Sequence, residues 1–211
     1  MVDPRPGELA LVGGALALDF CNTVAWRTSA HPIDRLGGYS GWLEWCAHAG
    51  SVPPELADAL EVAARRQPAE AAAAFARVDA LRARAAAVFD SLAAGSTPDS
   101  GDVDACRLAY LEALAASRLR VEPGATRLEW PSTVEFDRPL WPLLHSVWSL
   151  LLTPDLPQIH VCEGDGCGWL FIDRTRNASR RWCSSDDCGR RERVRRHRSR
   201  HAAEAGTTHR P

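Results

Sequence analysis

Lysine is absent from the sequence, so all 25 of its positively charged side chains are arginines. We attribute this to coding bias, because alanine is also abundant, and the place where arginines cluster is therefore more informative than their number. No apolar run reaches the roughly 18 residues that a membrane-spanning helix needs. Residues 1–7 lack the apolar segment of a signal peptide. We expect a cytoplasmic protein without a membrane partner, where clustered thiols are more often metal ligands than disulfides.

The sequence also lacks the short motifs of common enzyme classes. It contains no phosphate-binding glycine loop and no nucleophile elbow. Cys21, Cys46 and Cys106 lie among apolar residues, which favours burial in a core over nucleophilic chemistry. We therefore predict that the protein is not an enzyme. A remote alternative is an enzyme in the N-terminal part with Asp19 as an acid or base.

The net charge of −2 conceals a strong asymmetry along the chain. Residues 1–161 contain 13 arginines and 20 acidic residues, whereas residues 162–211 contain 12 arginines and 7 acidic residues. Residues 174–201 alone contain 11 arginines and three acidic residues, a net charge of +8. This distribution predicts an acidic body carrying a basic segment that binds a polyanion.

Four cysteines near the C-terminal end have the spacing of a zinc site. Cys162 and Cys167 form one C-x4-C pair, Cys183 and Cys188 form a second, and 15 residues separate the pairs. Two such pairs can hold one zinc ion in a closed tetrahedron of thiolates, which leaves no open position for catalysis. Two disulfides or four buried thiols remain the alternatives. A module of this size has few large apolar residues, so structural zinc would supply much of its stability.

Apolar periodicity predicts an α+β fold with a mostly helical N-terminal domain. Alternation in residues 15–20 predicts a short strand, and Leu9, Leu11 and the following glycines predict a strand and turn before it. Helices are predicted to begin near residues 40, 53, 68, 99 and 137, and a β-hairpin is predicted around residues 122–125. The prolines in residues 153–157 predict a domain boundary.

The cysteine segment predicts a small treble-clef zinc finger. A strand over residues 158–161 leads into Cys162, and a hairpin is expected between the strand near Trp169 and a second strand near Trp182. Ser184 or Ser185 is expected to cap a helix that has Cys188 in its first turn.

The predicted helix that follows has Val194 as its only clearly apolar residue, so we expect no face of it to be buried. Arginines beside the cysteines could offset the charge of the thiolates, and those along the helix could contact phosphates, which releases counterions. A frayed cationic tail is the alternative. The candidate DNA-binding residues are Arg180, Arg181, Arg190, Arg191, Arg193, Arg195, Arg196 and Arg198.

These residues resemble the CGNR zinc finger family. The matching positions are Cys162, Cys167, Trp169, Phe171, Asp173, residues 180–184, Cys188, Gly189 and Arg191. Arg190 departs from the pattern, because the family motif has asparagine there. The resemblance implies a zinc-stabilised finger that binds DNA.

An earlier segment resembles the L-D-F-x-N-T signature of the ABATE domain, which precedes this finger in predicted stress-induced transcription regulators. The matching residues are Leu18, Asp19, Phe20, Asn22 and Thr23. Asp19, Asn22 and Thr23 are a candidate ligand pocket, although such residues more often cap and stabilise turns.

Together these observations predict an ABATE-like domain over residues 1–155, a zinc finger with a basic helix over residues 156–203, and a tail over residues 204–211. The predicted function is a DNA-binding transcription regulator with one structural zinc ion. Its N-terminal domain would sense a small-molecule effector or mediate assembly, for instance as a homodimer. The alternative is a zinc-stabilised module that binds RNA or an acidic protein.

Overall fold

The computed structural model describes residues 4–153 and 156–207, with the side chains of all of these except residues 157 and 200–207. The predicted α+β fold is confirmed, with helices in the majority and strands only in short pairs. The α-helices of the described residues are α1 Leu16–Cys21, α2 Tyr39–His48, α3 Pro54–Arg66, α4 Pro68–Ala93, α5 Ser100–Ala115, α6 Trp141–Leu151 and α7 Cys188–Thr207.

The strands form three separate antiparallel pairs. The first pair lies between α1 and α2, the second is the predicted hairpin after α5, and the third belongs to the cysteine segment near the C-terminal end. The pairs are β1 Val24–Ala25 with β2 Ile33–Asp34, β3 Arg118–Glu122 with β4 Ala125–Glu129, and β5 Ile159–Val161 with β6 Leu170–Ile172. Single 3-10 turns cover Pro6–Glu8, Arg138–Leu140 and Leu156–Gln158.

The long helices follow local signals in the sequence. Pro68 lies at the start of α4, and Gly95, at a φ of 67°, lies just beyond its end. Asp99 caps α5, since its carboxylate accepts hydrogen bonds from the backbone N–H groups of Gly101 and Asp102. Helix α2, predicted to begin near residue 40, begins at Tyr39 with Gly38 at its N-cap and no side-chain cap.

The predicted strand over residues 15–20 is wrong, because this segment forms the helix α1. Four of its apolar side chains, from Ala17, Leu18, Phe20 and Cys21, are at most 1% exposed. A short segment that is buried on nearly all sides has no polar face to reveal its period, so alternation could not distinguish strand from helix. The strand predicted at Leu9 and Leu11 is also wrong, since a 3-10 turn and extended chain occupy this region.

Residues 4–153, which precede the cysteine segment, are called the body. The body has one main core built around aromatic side chains of α2. Trp42 and Trp45 are fully buried, stack with ring centroids 5.6 Å apart, and both contact Phe20 of α1. Helices α3 and α4 add leucine and alanine side chains to this cluster. This core therefore includes α1 through Phe20 and positions the residues that follow it.

A second core joins the body to the cysteine segment. Leu18 of α1 and Phe89 of α4 pack in one cluster with Ile159, Leu170 and Ile172 of the pair β5–β6. The cysteine segment thus completes a core that begins in the body. The predicted boundary at 153–157 lies partly outside the described residues, because residues 154 and 155 are not described. The division into two domains stays a prediction, but the two parts share apolar packing.

Candidate metal centre and basic helix

The four predicted ligands come together in one buried cluster. Cys162 follows β5, Cys167 ends the loop that begins there, Cys183 precedes the last turn before α7, and Cys188 is the first residue of α7. All four Sγ atoms lie within 4.8 Å of one another, and the four residues are at most 5% exposed. Residues that are up to 26 positions apart in the sequence therefore meet at one point.

The spacing of the sulfur atoms fits a zinc ion. Sγ of Cys183 lies 3.8 Å from Sγ of Cys167 and 3.5 Å from Sγ of Cys188. Four ligands at a Zn–S distance of about 2.3 Å in a tetrahedron have their sulfur atoms about 3.8 Å apart. The cysteines are thus positioned to bind one zinc ion, and their complete sulfur shell makes the site structural.

The surroundings of the cluster favour thiolates. Sγ of Cys162 accepts hydrogen bonds from the backbone N–H groups of Gly164, at 3.4 Å, and Cys183, at 3.2 Å. The guanidinium of Arg191 donates to Sγ of Cys188 at 2.9 Å. The hydrogen bonds from Cys167 and the other cluster thiols, together with the N–H of Cys183, lower the pKa of Cys162. The hydrogen bond to Cys162 raises the pKa of Cys167. Because zinc binds cysteine as the thiolate, binding of the ion would displace the proton that Cys167 keeps.

Two glycines in the loop between Cys162 and Trp169 allow close backbone contacts. The backbone of one lies against a metal ligand, and that of the other lies against the body. A Cβ on Gly164 would lie 3.0 Å from Sγ of Cys188. Gly168 has a φ of 65°, and a Cβ there would lie only 2.5 Å from Cγ2 of Thr28. These positions therefore require glycine for close approach and, at Gly168, also for backbone conformation.

The predicted second strand near Trp182 is wrong. Strand β6 pairs with β5 instead, and residues 180–183 are not in a strand. The buried carboxylate of Asp173 accepts hydrogen bonds from the backbone N–H groups of Thr175, at 2.7 Å, and Arg180, at 2.8 Å. Burial opposes its ionisation, but these hydrogen bonds prevail and lower the pKa of Asp173. The treble-clef arrangement stays a prediction.

Arg180 is part of the scaffold of the finger. Its guanidinium lies 4.3 Å from the ring centroid of Phe171. The same group donates to backbone carbonyl oxygens of both the finger and the body, namely those of Trp182, Ile172, Cys183 and Val12. This candidate for DNA contact is therefore committed to internal hydrogen bonds. Arg181, by contrast, is exposed and pairs with Glu163.

The residues predicted as a ligand pocket bind the protein itself. The amide of Asn22 donates to the carbonyl of Leu170 and accepts from its N–H, both at 2.8 Å. The carboxylate of Asp19 accepts from the N–H of Gly13 at 2.7 Å, and the Thr23 hydroxyl donates to the carbonyl of Phe20. All three side chains are at most 8% exposed. Their observed contacts hold α1 and β6 in place. This is the alternative raised from the sequence, in which such residues cap and stabilise turns.

A cavity of about 460 Å³ lies elsewhere, between the body and the start of α7. The body contributes Ala25 and Trp26 from β1 and the residue after it, and the finger contributes Trp169. Trp26 has a φ of 55°, which is unusual for a residue other than glycine. No sequence motif indicated this cavity, because its walls come from parts of the chain that are more than 130 residues apart.

The first turns of α7 are docked, contrary to the expectation that no face of it is buried. The guanidinium of Arg191 lies 4.6 Å from the ring centroid of Trp26, and Glu192 is 8% exposed. The guanidinium of Arg196 lies 5.8 Å from the ring centroid of Trp182. No apolar stripe in the sequence indicates this contact, because the aliphatic and planar parts of the arginine side chains take its place.

The opposite face of α7 is exposed. Successive helix positions are 100° apart, so Arg190, Arg193, Val194 and His197 project away from buried Glu192. Arg190, Arg193 and Val194 are exposed, and the chain continues in helix to Thr207. Among the described residues, Arg190 and Arg198 have no hydrogen-bond or ion-pair partner, whereas Arg195 pairs with Glu192 at 2.8 Å.

Comparison with known families gives two matches in the predicted order. A family model described as "Putative stress-induced transcription regulator", ABATE, matches residues 14–154, which is more than half of the chain. A model of the CGNR zinc finger matches residues 158–201. No curated protein matches the sequence. Across the part of the chain that the structure describes, no helix is both long and apolar enough to cross a membrane.

Proposed function

Since the chain belongs to the ABATE family, we propose that it is a cytoplasmic, zinc-stabilised DNA-binding protein that regulates transcription. The observation that carries the proposal is the exposed face of α7. This face presents Arg190, Arg193 and, at its edge, Arg198, with a single apolar residue, Val194, between them. A solvated face of one charge sign is suited to a polyanion.

The acidic residues nearest to this face do not neutralise it. Glu192 is buried on the other side of α7 and pairs with Arg195. Asp187 precedes the helix and pairs with Arg191 at 3.0 Å. The arginines of the outward face therefore keep their charge available for phosphate oxygens, which supply most of the affinity in DNA binding.

The dimensions of α7 also suit DNA. Its 20 residues span about 30 Å, and the major groove of B-DNA is about 12 Å wide and admits an α-helix. Zinc binds Cys188 at the first residue of α7, and Trp26 and Trp182 hold its first turns through Arg191 and Arg196. The body therefore presents the basic face in one orientation, which supports positioning on a duplex.

A salt titration tests the proposal. The zinc-loaded protein should bind duplex DNA with an affinity that falls steeply as the salt concentration rises. Replacing Arg190, Arg193 and Arg198 together by alanine should make the slope of log K against log salt less negative by about 0.9 per lost phosphate contact. The matched control replaces three exposed arginines of the body, Arg65, Arg107 and Arg118, and should leave the slope near that of the wild type.

Two results would contradict the proposal. Zinc-loaded protein without any salt-sensitive binding to duplex DNA would refute DNA binding. Equal effects of the two triple variants would show that total charge matters and the face of α7 does not. Preferred binding to RNA, or nuclease-resistant capture of an acidic protein by α7, would favour the alternative module.

A further inference from the structure

We propose that the cavity between the body and α7 is an effector site for a small planar organic anion, typified by an aromatic carboxylate, whose binding competes with DNA for Arg190. This inference rests on the proposed function only for its second half, the competition with DNA. The first half, the binding of the anion, depends on the cavity alone.

The shape and the walls of the cavity suit a flat apolar molecule. Its volume of about 460 Å³ lies within the range of small-molecule sites. Two indole rings, Trp26 and Trp169, line it together with the apolar side chains of Leu9 and Ala25. A bare inorganic phosphate would leave most of its oxygen atoms facing these apolar walls, which is costly without hydrogen-bond donors. The walls therefore favour an aromatic body.

The charge of the cavity suits a carboxylate. Three arginines and one acidic residue line it, namely Arg35, Arg190, Arg191 and Asp187. Arg191 is already engaged by Asp187, by Cys188 and by the ring of Trp26. Arg190 is exposed and has no hydrogen-bond or ion-pair partner in residues 4–153 and 156–207, so its planar fork of donors is available to a carboxylate.

The backbone at the cavity gives an independent sign of a functional site. Trp26 adopts a left-handed φ of 55° although it is a bulky residue, a conformation that is sterically strained. The following N–H, from Arg27, donates to the carbonyl of Cys167 at 3.0 Å, which fixes this conformation against the finger. This conformation, held by the surrounding structure, places the indole ring of Trp26 at the wall of the cavity, 4.6 Å from the guanidinium of Arg191, which lines the same cavity.

The position of the cavity couples it to the proposed DNA surface. Arg190 lines the cavity and also belongs to the outward face of α7. A carboxylate bound to Arg190 removes one cation from the set that contacts phosphates. Because coupling between two sites is reciprocal, the anion should weaken DNA binding and DNA should weaken the anion by the same factor.

Binding of the anion is tested on the full zinc-loaded chain without DNA. The indole N–H signals of 15N-labelled protein are followed by NMR, and those of Trp26 and Trp169 are assigned with Trp26→Phe and Trp169→Phe variants. The probes are 2-naphthoate, its neutral analogue 2-naphthalenemethanol, and inorganic phosphate. We expect 2-naphthoate to shift these two signals with a Kd of about 1 mM or lower, the neutral analogue to bind at least tenfold more weakly, and phosphate to shift neither.

Matched variants locate the site. Arg190→Gln should weaken 2-naphthoate at least tenfold, whereas Arg198→Gln, an exposed arginine on the same helix outside the cavity, should not. Ala25→Leu fills the cavity without changing charge and should abolish binding. If Ala25→Leu does not fold, the comparison of Arg190→Gln with Arg198→Gln still decides whether 2-naphthoate binds in the cavity. No shift at Trp26 and Trp169, or equal effects of the two arginine variants, would overturn the site.

The effector role has its own readout. Saturating 2-naphthoate should lower the affinity of the wild type for DNA at least threefold and leave that of Arg190→Gln unchanged. If the anion binds while DNA affinity stays the same, the effector role is refuted. If the protein binds no DNA at all, the proposed function fails, whereas the NMR titration still decides whether the cavity binds the anion.

Discussion

The amide of Asn22 joins the body to the finger through two buried hydrogen bonds, and its removal should strongly lower the free energy of unfolding. Asn22 is 3% exposed, Leu170 is fully buried, and two hydrogen bonds of 2.8 Å join the amide to both backbone polar groups of Leu170. In Asn22→Ala, a buried N–H and a buried carbonyl lose their partner. Each such group costs about 1–3 kcal/mol, so we expect the free energy of unfolding to fall by about 2–5 kcal/mol.

Urea unfolding of the zinc-loaded protein, followed by far-UV circular dichroism, measures this change. The matched control is Asn177→Ala, an exposed turn residue of the same finger, which should change the free energy of unfolding by less than about 0.5 kcal/mol. Asn22→Asp keeps the acceptor but opposes a carboxylate to the carbonyl of Leu170, so it should cost at least as much as Asn22→Ala. A loss below about 0.5 kcal/mol in Asn22→Ala would refute the view that this amide joins the two parts.

Three further predictions concern Arg180, Asp19 and the zinc site. Arg180→Lys loses the planar group that binds four carbonyls, so the free energy of urea unfolding should fall by at least about 2 kcal/mol. Arg181→Lys, in an exposed pair with Glu163, should lower it by less than about 1 kcal/mol. Equal losses would contradict the scaffold role of Arg180. Burial raises the pKa of Asp19 to about 6, so its ionisation destabilises the fold as pH rises from about 4 to 6. The free energy of unfolding of the wild type, relative to that of Asp19→Asn, should therefore fall by about 2–3 kcal/mol between pH 4 and pH 7. A pH-independent difference would refute the raised pKa. Removal of zinc by a chelator should lower the Tm of the whole chain in calorimetry, because β5 and β6 complete a core of the body; an unchanged body transition would contradict this.

The shared core changes the meaning of the zinc site. From the sequence, a finger of this size with few large apolar residues is expected to owe much of its stability to zinc. In the structure, Ile159, Leu170 and Ile172 pack with Leu18 and Phe89, so the finger also draws stability from the body. Zinc therefore fixes the start of α7, while the apolar contacts and Asn22 fix the finger against the body.

The sequence by itself determined the elements that depend on local signals. The cysteine spacing identified the four zinc ligands, because chelation by two pairs needs only short loops and a helix start. Proline, glycine and Asp99 marked the ends of α4 and α5, since capping is decided within a few residues. The hairpin β3–β4 and the charge of α7 were likewise visible in the sequence.

Only the tertiary structure decided which of these residues face inward. Segment 15–20 is a helix because it is enclosed by α4, α6 and β6, and its burial removes the polar pattern on which a sequence prediction depends. Asn22 and Leu170 are 148 positions apart, and Trp26 meets Arg191 over a similar distance. Such long-range contacts set the cavity, the strained Trp26, the internal role of Arg180 and the outward face of α7. Because they depend on packing across the whole chain, no local pattern could predict them.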